Sequence, residues 1–117
     1  MPAMQHMGKI LGRELPAMDE FDANAFLEDF AVSEDPDKAI TAGIFRLEAG
    51  ESMTYTYTYH EIKLVIDGEL HITDCTGETV AGTKGDLFYF PDGCEVTFST
   101  PDFGVGYFVG QRGEGEA

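Results

Sequence analysis

Gly50 to Gly68 reads GESMTYTYTYHEIKLVIDG, and within it threonine alternates with tyrosine from Thr54 to Tyr59. A period of two marks a half-buried strand, because successive side chains of an extended chain point to opposite faces. Tyr55, Tyr57 and Tyr59 therefore share one face. If the strand resumes that parity after a local bend, Glu61, Lys63 and Val65 join them, while Ile62, Leu64 and Ile66 pack on the other side. A carboxylate and an ammonium then stand two residues apart beside three phenols.

Spacing outward from this stretch carries more. Glu61 is followed by six residues and then Gly68, and Gly50 precedes the pair Tyr55-x-Tyr57 by four residues. Downstream, Gly85-DLFYF-Pro91-Asp92-Gly93 leads after two residues to Val96 and after three more to Thr100. These two blocks resemble the paired motifs of single-domain cupins, in which glycine, His-x-His, glutamate and glycine are answered by glycine, Pro-x-Gly, histidine and asparagine. Tyr55 and Tyr57 stand at the first two histidine places, Val96 at the third and Thr100 at the asparagine place. The resemblance implies an all-β, single-domain cupin, a double-stranded β-helix or jelly-roll barrel. It also implies that three of the four usual metal ligands are missing.

At 117 residues the chain has room for one core. Frequent Gly, abundant Phe and Tyr and no Trp suit a compact all-β protein with tight turns. Twenty-two acidic residues against seven basic ones give a formal charge of −15. Phosphate contacts need Lys and Arg, so neither nucleic acid nor an anionic membrane is expected as a partner. Solubility is the plain reading of the acidity, an acidic docking surface the alternative. Cys75 and Cys94 lack CxxC spacing and read as a reduced pair, with a disulfide as the alternative. The opening MPAMQHMGKILGRE has no continuous apolar core and no later stretch approaches a membrane span, so a cytoplasmic protein is expected.

Along the chain, residues 1–25 read as an N-terminal arm, partly irregular or helical, 26–110 as the barrel, and 111–117 as a flexible tail. Apolar Met18, Phe21, Phe26 and Phe30 fit a helical stripe as well as the opening of a strand that runs from about Leu27 to Ser33. Asp35-Pro36-Asp37-Lys38 is turn chemistry. Strands are expected from Ile40 to Leu47, within Gly50 to Gly68 as two strands or one bent strand, and at Glu69 to Asp74. Four more follow, at Glu78 to Ala81, Asp86 to Phe90, Glu95 to Ser99 and Phe103 to Val109.

One carboxylate does not hold a transition ion, and phenols ligate well only when deprotonated, far above neutral pH. His60 falls on the face opposite Glu61, His71 on another strand and His6 in the arm, so no metal ligand and no cofactor is assigned. Without a cation, an inward Glu61 costs several kcal/mol or takes up a proton. Lys63 points the same way and supplies the charge. Glu61 and Lys63 are the candidate catalytic pair, and Tyr55, Tyr57, Tyr59, Val96 and Phe98 the candidate ligand-binding wall. The plain alternative is that Lys63 snorkels to the rim and the tyrosines are core with satisfied hydroxyls.

The runs YHEIK (Tyr59 to Lys63), VIDGELHI (Val65 to Ile72), GDLFYFP (Gly85 to Pro91) and VTFSTP (Val96 to Pro101) resemble the cupin domain of the ethanolamine-utilisation protein Q family. The match spans about Ile40 to Val109. It departs at His60, where the family tends to have aspartate, and in the tail. The resemblance implies a homodimeric RmlC-like jelly roll without an established metal. For full-length members it implies ethanolamine catabolism, an acetate-kinase activity, and an N-terminal extension used in microcompartment association that this chain is too short to contain. Kinase chemistry needs a phosphate loop or a Lys and Arg cluster with Mg²⁺. Gly104-x-Gly106-xxx-Gly110 has neither the spacing nor the following helix, and reads as letting a strand approach its neighbours closely.

The expected function is binding of a small polar metabolite in the barrel, with enzymatic turnover left open. There Glu61 would be general base or acid, Lys63 would set its charge state, and Tyr55 and Tyr57 would orient the ligand. The rivals are a non-catalytic assembly or accessory protein of amine catabolism, and a metalloenzyme with an unusual ligand set including His60. An open pocket reaching Glu61 favours binding; a filled barrel favours assembly.

Overall fold

The computed structural model describes residues 2–117; Met1, the first residue of the expected arm, lies outside the described residues. The chain folds into eight strands: β1 (Ala25–Val32), β2 (Thr41–Glu48), β3 (Met53–Thr56), β4 (Glu61–Thr73), β5 (Thr79–Thr83), β6 (Leu87–Phe90), β7 (Glu95–Ser99) and β8 (Phe103–Gly110). All pairings are antiparallel. One sheet runs β1-β2-β8-β4-β6 and the other β3-β7-β4-β5. The molecule is a small all-β jelly roll.

β4 belongs to both sheets, because its first half pairs with β8 and β6 and its second with β5 and β7. The crossing happens at a bulge between Val65 and Asp67 and at Gly68, whose φ of 64° is left-handed. A side chain at Gly68 would run into the Phe103 carbonyl, so only glycine lets the strand bend there. The sequence separates this stretch at Gly68 into successive strands; the backbone instead keeps one strand of 13 residues through the bend. Gly85 and Asp86 hold the bulge, with Gly85 N–H donating to Val65 O at 2.8 Å and Val65 N–H to Asp86 O at 2.9 Å.

Inward positions of both sheets meet in one core. Phe45, Leu47, Val65, Leu70, Val96, Phe98 and Phe108 are almost fully buried, each worth roughly 2 kcal/mol as area removed from water. Among the described residues, the segment before β1 contains no helix. It folds back as a loop held by an isolated bridge from Ala17 to Phe26, with Met18 N–H bonded to Ala25 O and Leu27 N–H to Pro16 O. Helical spacing of Met18, Phe21, Phe26 and Phe30 loses to pairing because Phe26 and Phe30 are already committed to β1, opposite β2. No helix among the described residues is long and apolar enough to cross a membrane.

Candidate functional site

β3 and the extended Tyr57 lie along β7, with Tyr57 N–H donating to Cys94 O and Gly93 N–H to Tyr57 O. The bend at Thr58 to His60 then delivers the chain into β4 without losing parity. Tyr57, Tyr59, Glu61, Lys63 and Val65 are all buried, and Tyr55 is half-buried. Ile62 faces the other way and is 48% exposed, so the opposite face is the outer surface of the sheet rather than a second packed layer.

Three polar groups form a triangle inside the barrel. Tyr57 donates its hydroxyl to Glu61 Oε2 at 2.6 Å, Lys63 Nζ lies 3.3 Å from the same oxygen, and Nζ donates to the Tyr57 hydroxyl at 3.4 Å. Both charged side chains are 4% exposed. Lys63 does not snorkel: its ammonium sits over the rings of Phe45 and Phe98, 4.4 and 4.5 Å from their centroids. A second phenol pair lies beside the triangle, with the Tyr55 and Tyr59 hydroxyls 2.9 Å apart. The three tyrosine rings meet edge to face, and Tyr57 stacks on Phe90 with centroids 5.0 Å apart.

Burial, then the neighbouring Glu61 charge, pushes the Tyr57 phenol well above its usual range. Tyr59 is likewise raised, first by burial and then by its bond to Tyr55. Both phenols therefore stay protonated, and Tyr57 donates to Glu61. Burial lowers the Lys63 ammonium from its ordinary value, against the opposing pull of Glu61. The triangle is thus an ion pair whose ammonium burial holds below its ordinary pKa.

The cavity at this cluster measures about 20 Å³. Glu61, Lys63, Tyr55, Tyr57, Tyr59 and Phe98 line it, with Met18, Leu27, Phe45 and Met53 closing the remaining sides. Val96 is fully buried opposite Tyr55 but does not line the cavity. Its branched side chain is spent on core packing. The donor set does not fit a transition ion. Its one carboxylate is already engaged by Tyr57 and Lys63, the phenols are held protonated, and an ammonium stands where a cation would sit. Among the described residues no group of three His, Cys, Asp or Glu is close enough to share an ion. His60 lies outside, its Nδ1 bonded to the Tyr89 hydroxyl and the Asp92 N–H, and His71 pairs with Glu69. Both cysteines are free thiols.

Sequence reasoning missed Arg112. The tail, expected to be flexible, holds a guanidinium 3% exposed, bidentate to Asp29 at 2.9 and 3.0 Å, with Gly115 N–H donating to the same carboxylate. Thr41, also buried, donates its hydroxyl to Arg112 O. The guanidinium lies 5.5 Å from the Tyr59 ring centroid, so the clasp backs the site's phenol wall. The available signal was scarcity: an arginine just past the last strand is one of only seven basic residues.

Residues 17–109 match the ethanolamine utilisation protein EutQ family. The chain belongs to that family. An acetate kinase EutQ from Salmonella typhimurium is 33% identical over 70 residues, covering 60% of this chain and 30% of the relative. One from Clostridioides difficile is 41% identical over 49 residues, covering 42% and 31%. The chain thus spans about 30% of the length of the curated EutQ relatives it matches. Among solved structures, one from Salmonella typhimurium bearing the name ethanolamine utilization protein Q superposes with a TM-score of 0.74 at 26% identity, covering 86% of this chain and 80% of that one. An RmlC-like cupin from Shewanella frigidimarina superposes at 0.71 with 15% identity, over 92% and 90% of the two chains, which speaks to the fold alone.

Proposed function

We propose that this EutQ-family cupin binds a small polar metabolite in its barrel, without a metal, as a cytoplasmic homodimer. The observation that carries this is the buried Tyr57–Glu61–Lys63 triangle, 2.6 to 3.4 Å on a side, set in an aromatic chamber. A jelly roll gains nothing in stability from it, since a buried ion pair generally does no better than apolar side chains of similar volume. A neutral ligand with one donor and one acceptor exchanges hydrogen bonds with the triangle without leaving a charge exposed. The ammonium is already matched by Glu61, which leaves no cationic cluster for a nucleoside triphosphate. The acetate-kinase activity in the relatives' names is therefore not part of this reading.

The chamber is small, and a ligand gains room in it by displacing the loop before β1. Met18 lines the cavity and Phe21 meets Tyr55 at 6.4 Å between centroids. That loop is tied by few backbone bonds, which makes local opening cheap compared with opening the barrel. A panel of small aldehydes, alcohols, amines and carboxylates, screened by thermal shift, tests the reading. One class should raise the melting temperature saturably in wild type and not in a folded Glu61→Gln variant. No saturable shift for any class at millimolar concentration overturns it.

The volume of about 20 Å³, room for one water, favours a second reading. In it the barrel is filled and the protein is a non-catalytic assembly or accessory component.

A further inference from the structure

We infer that Lys63 is a nucleophile that forms a covalent imine with a short-chain aldehyde admitted to the barrel. This deepens the binding reading given above and rests on it. Three features converge on Nζ. Lys63 lines the cavity together with Met18, and displacing the loop that bears Met18 makes the room there for an incoming carbonyl carbon. Its polar partners are both on one side, Glu61 Oε2 at 3.3 Å and the Tyr57 hydroxyl at 3.4 Å, while the rings of Phe45 and Phe98 cover much of the rest. Its stem is held by close packing against Gly106, where an added Cβ would come within 2.9 Å of Lys63 Cγ.

The step balances within these groups. The Lys63 ammonium passes a proton to Glu61, and the freed lone pair attacks the carbonyl carbon. The C–N bond forms as the carbonyl π pair moves to oxygen. The proton lost from nitrogen reaches that oxygen through the Tyr57 hydroxyl, which bonds both other groups of the triangle, and a carbinolamine results. Glu61 then returns its proton to the hydroxyl, which leaves as water while nitrogen closes the double bond. Aldehyde and ammonium have become protonated imine and one water, with Glu61 ionised again. Burial favours the free amine needed for attack, and the aromatic walls slow hydrolysis of the product. Lys9, Lys38 and Lys84 are exposed and have no such surroundings.

Incubating the full chain with acetaldehyde and cyanoborohydride near neutral pH, followed by peptide mapping, fixes any imine as an ethyl group. Lys63 should be labelled several-fold faster than the exposed Lys9, Lys38 or Lys84, because burial moves it toward the free amine. The rate should saturate with aldehyde concentration, and the label at this position should vanish in Lys63→Arg. Because mapping on the wild-type protein decides the site, a variant that fails to fold does not blunt the test. Labelling of the exposed lysines with Lys63 untouched overturns the inference. If saturable thermal shifts persist in that case, the binding reading stands and only the covalent step falls; if neither shift nor label is seen, both fall.

Discussion

Deleting the Lys63 ammonium leaves the buried Glu61 carboxylate with the Tyr57 hydroxyl as its remaining donor. One neutral hydrogen bond does not offset the desolvation of a buried charge, so Lys63→Met should lower stability by about 3 kcal/mol or more in urea unfolding. Removing both charges at once, as Glu61→Gln with Lys63→Met, takes away the cost together with the attraction. The double variant should therefore be more stable than Lys63→Met alone, with strongly non-additive free energies. Additive losses would mean that the two groups do not interact. The presence of this pair was readable from the two-residue spacing of Glu61 and Lys63 on an alternating strand. Its tightness was not, because the distance between side chains depends on where the bend at Thr58 to His60 returns the chain.

β8 explains how a strand bearing a lysine packs so closely. Its inward positions are Gly104, Gly106, Phe108 and Gly110, and each glycine faces a neighbour that takes the space. A Cβ on Gly104 would lie 2.5 Å from Leu70 Cδ2, one on Gly106 2.9 Å from Lys63 Cγ, and one on Gly110 3.1 Å from Tyr59 Cε2. Gly106→Ala should push the Lys63 stem away from Glu61, costing about 1 to 3 kcal/mol of stability and slowing aldehyde labelling at Lys63. Gly8→Ala, with nothing nearby, should stay within about 0.5 kcal/mol by the same unfolding measurement. Most strands announce themselves by alternation and by turn residues such as Asp35, whose carboxylate accepts from the Asp37 and Lys38 N–H groups. The clasp of Arg112 on Asp29 does not, since the two are 83 positions apart and neither strand pattern nor turn chemistry links them. The loop before β1 is hidden for a related reason: its apolar spacing suits a helix as well as a fold-back, and only the pairing of β1 with β2 decides.

At the scale of the whole molecule, the surface left uncovered matters most. Ile62 and Tyr89 are cross-strand neighbours on β4 and β6, Leu64 faces Leu87 on one side and Tyr107 on the other, and Leu87 and Tyr89 are 65% and 60% exposed. A contiguous apolar strip on the outer face of one sheet suits a self-complementary contact about a two-fold axis. Two chains that each carry −15 repel one another, so this contact works against long-range electrostatics. Salt screens that repulsion while leaving apolar burial intact. Light scattering after size exclusion should therefore show a species of twice 12.8 kDa whose share over monomer grows as ionic strength rises. Leu87→Lys with Tyr89→Lys should give monomer at every salt concentration, although it reduces the net negative charge. A dimer that survives this variant, or one that salt dissociates, would place the contact on a polar surface elsewhere.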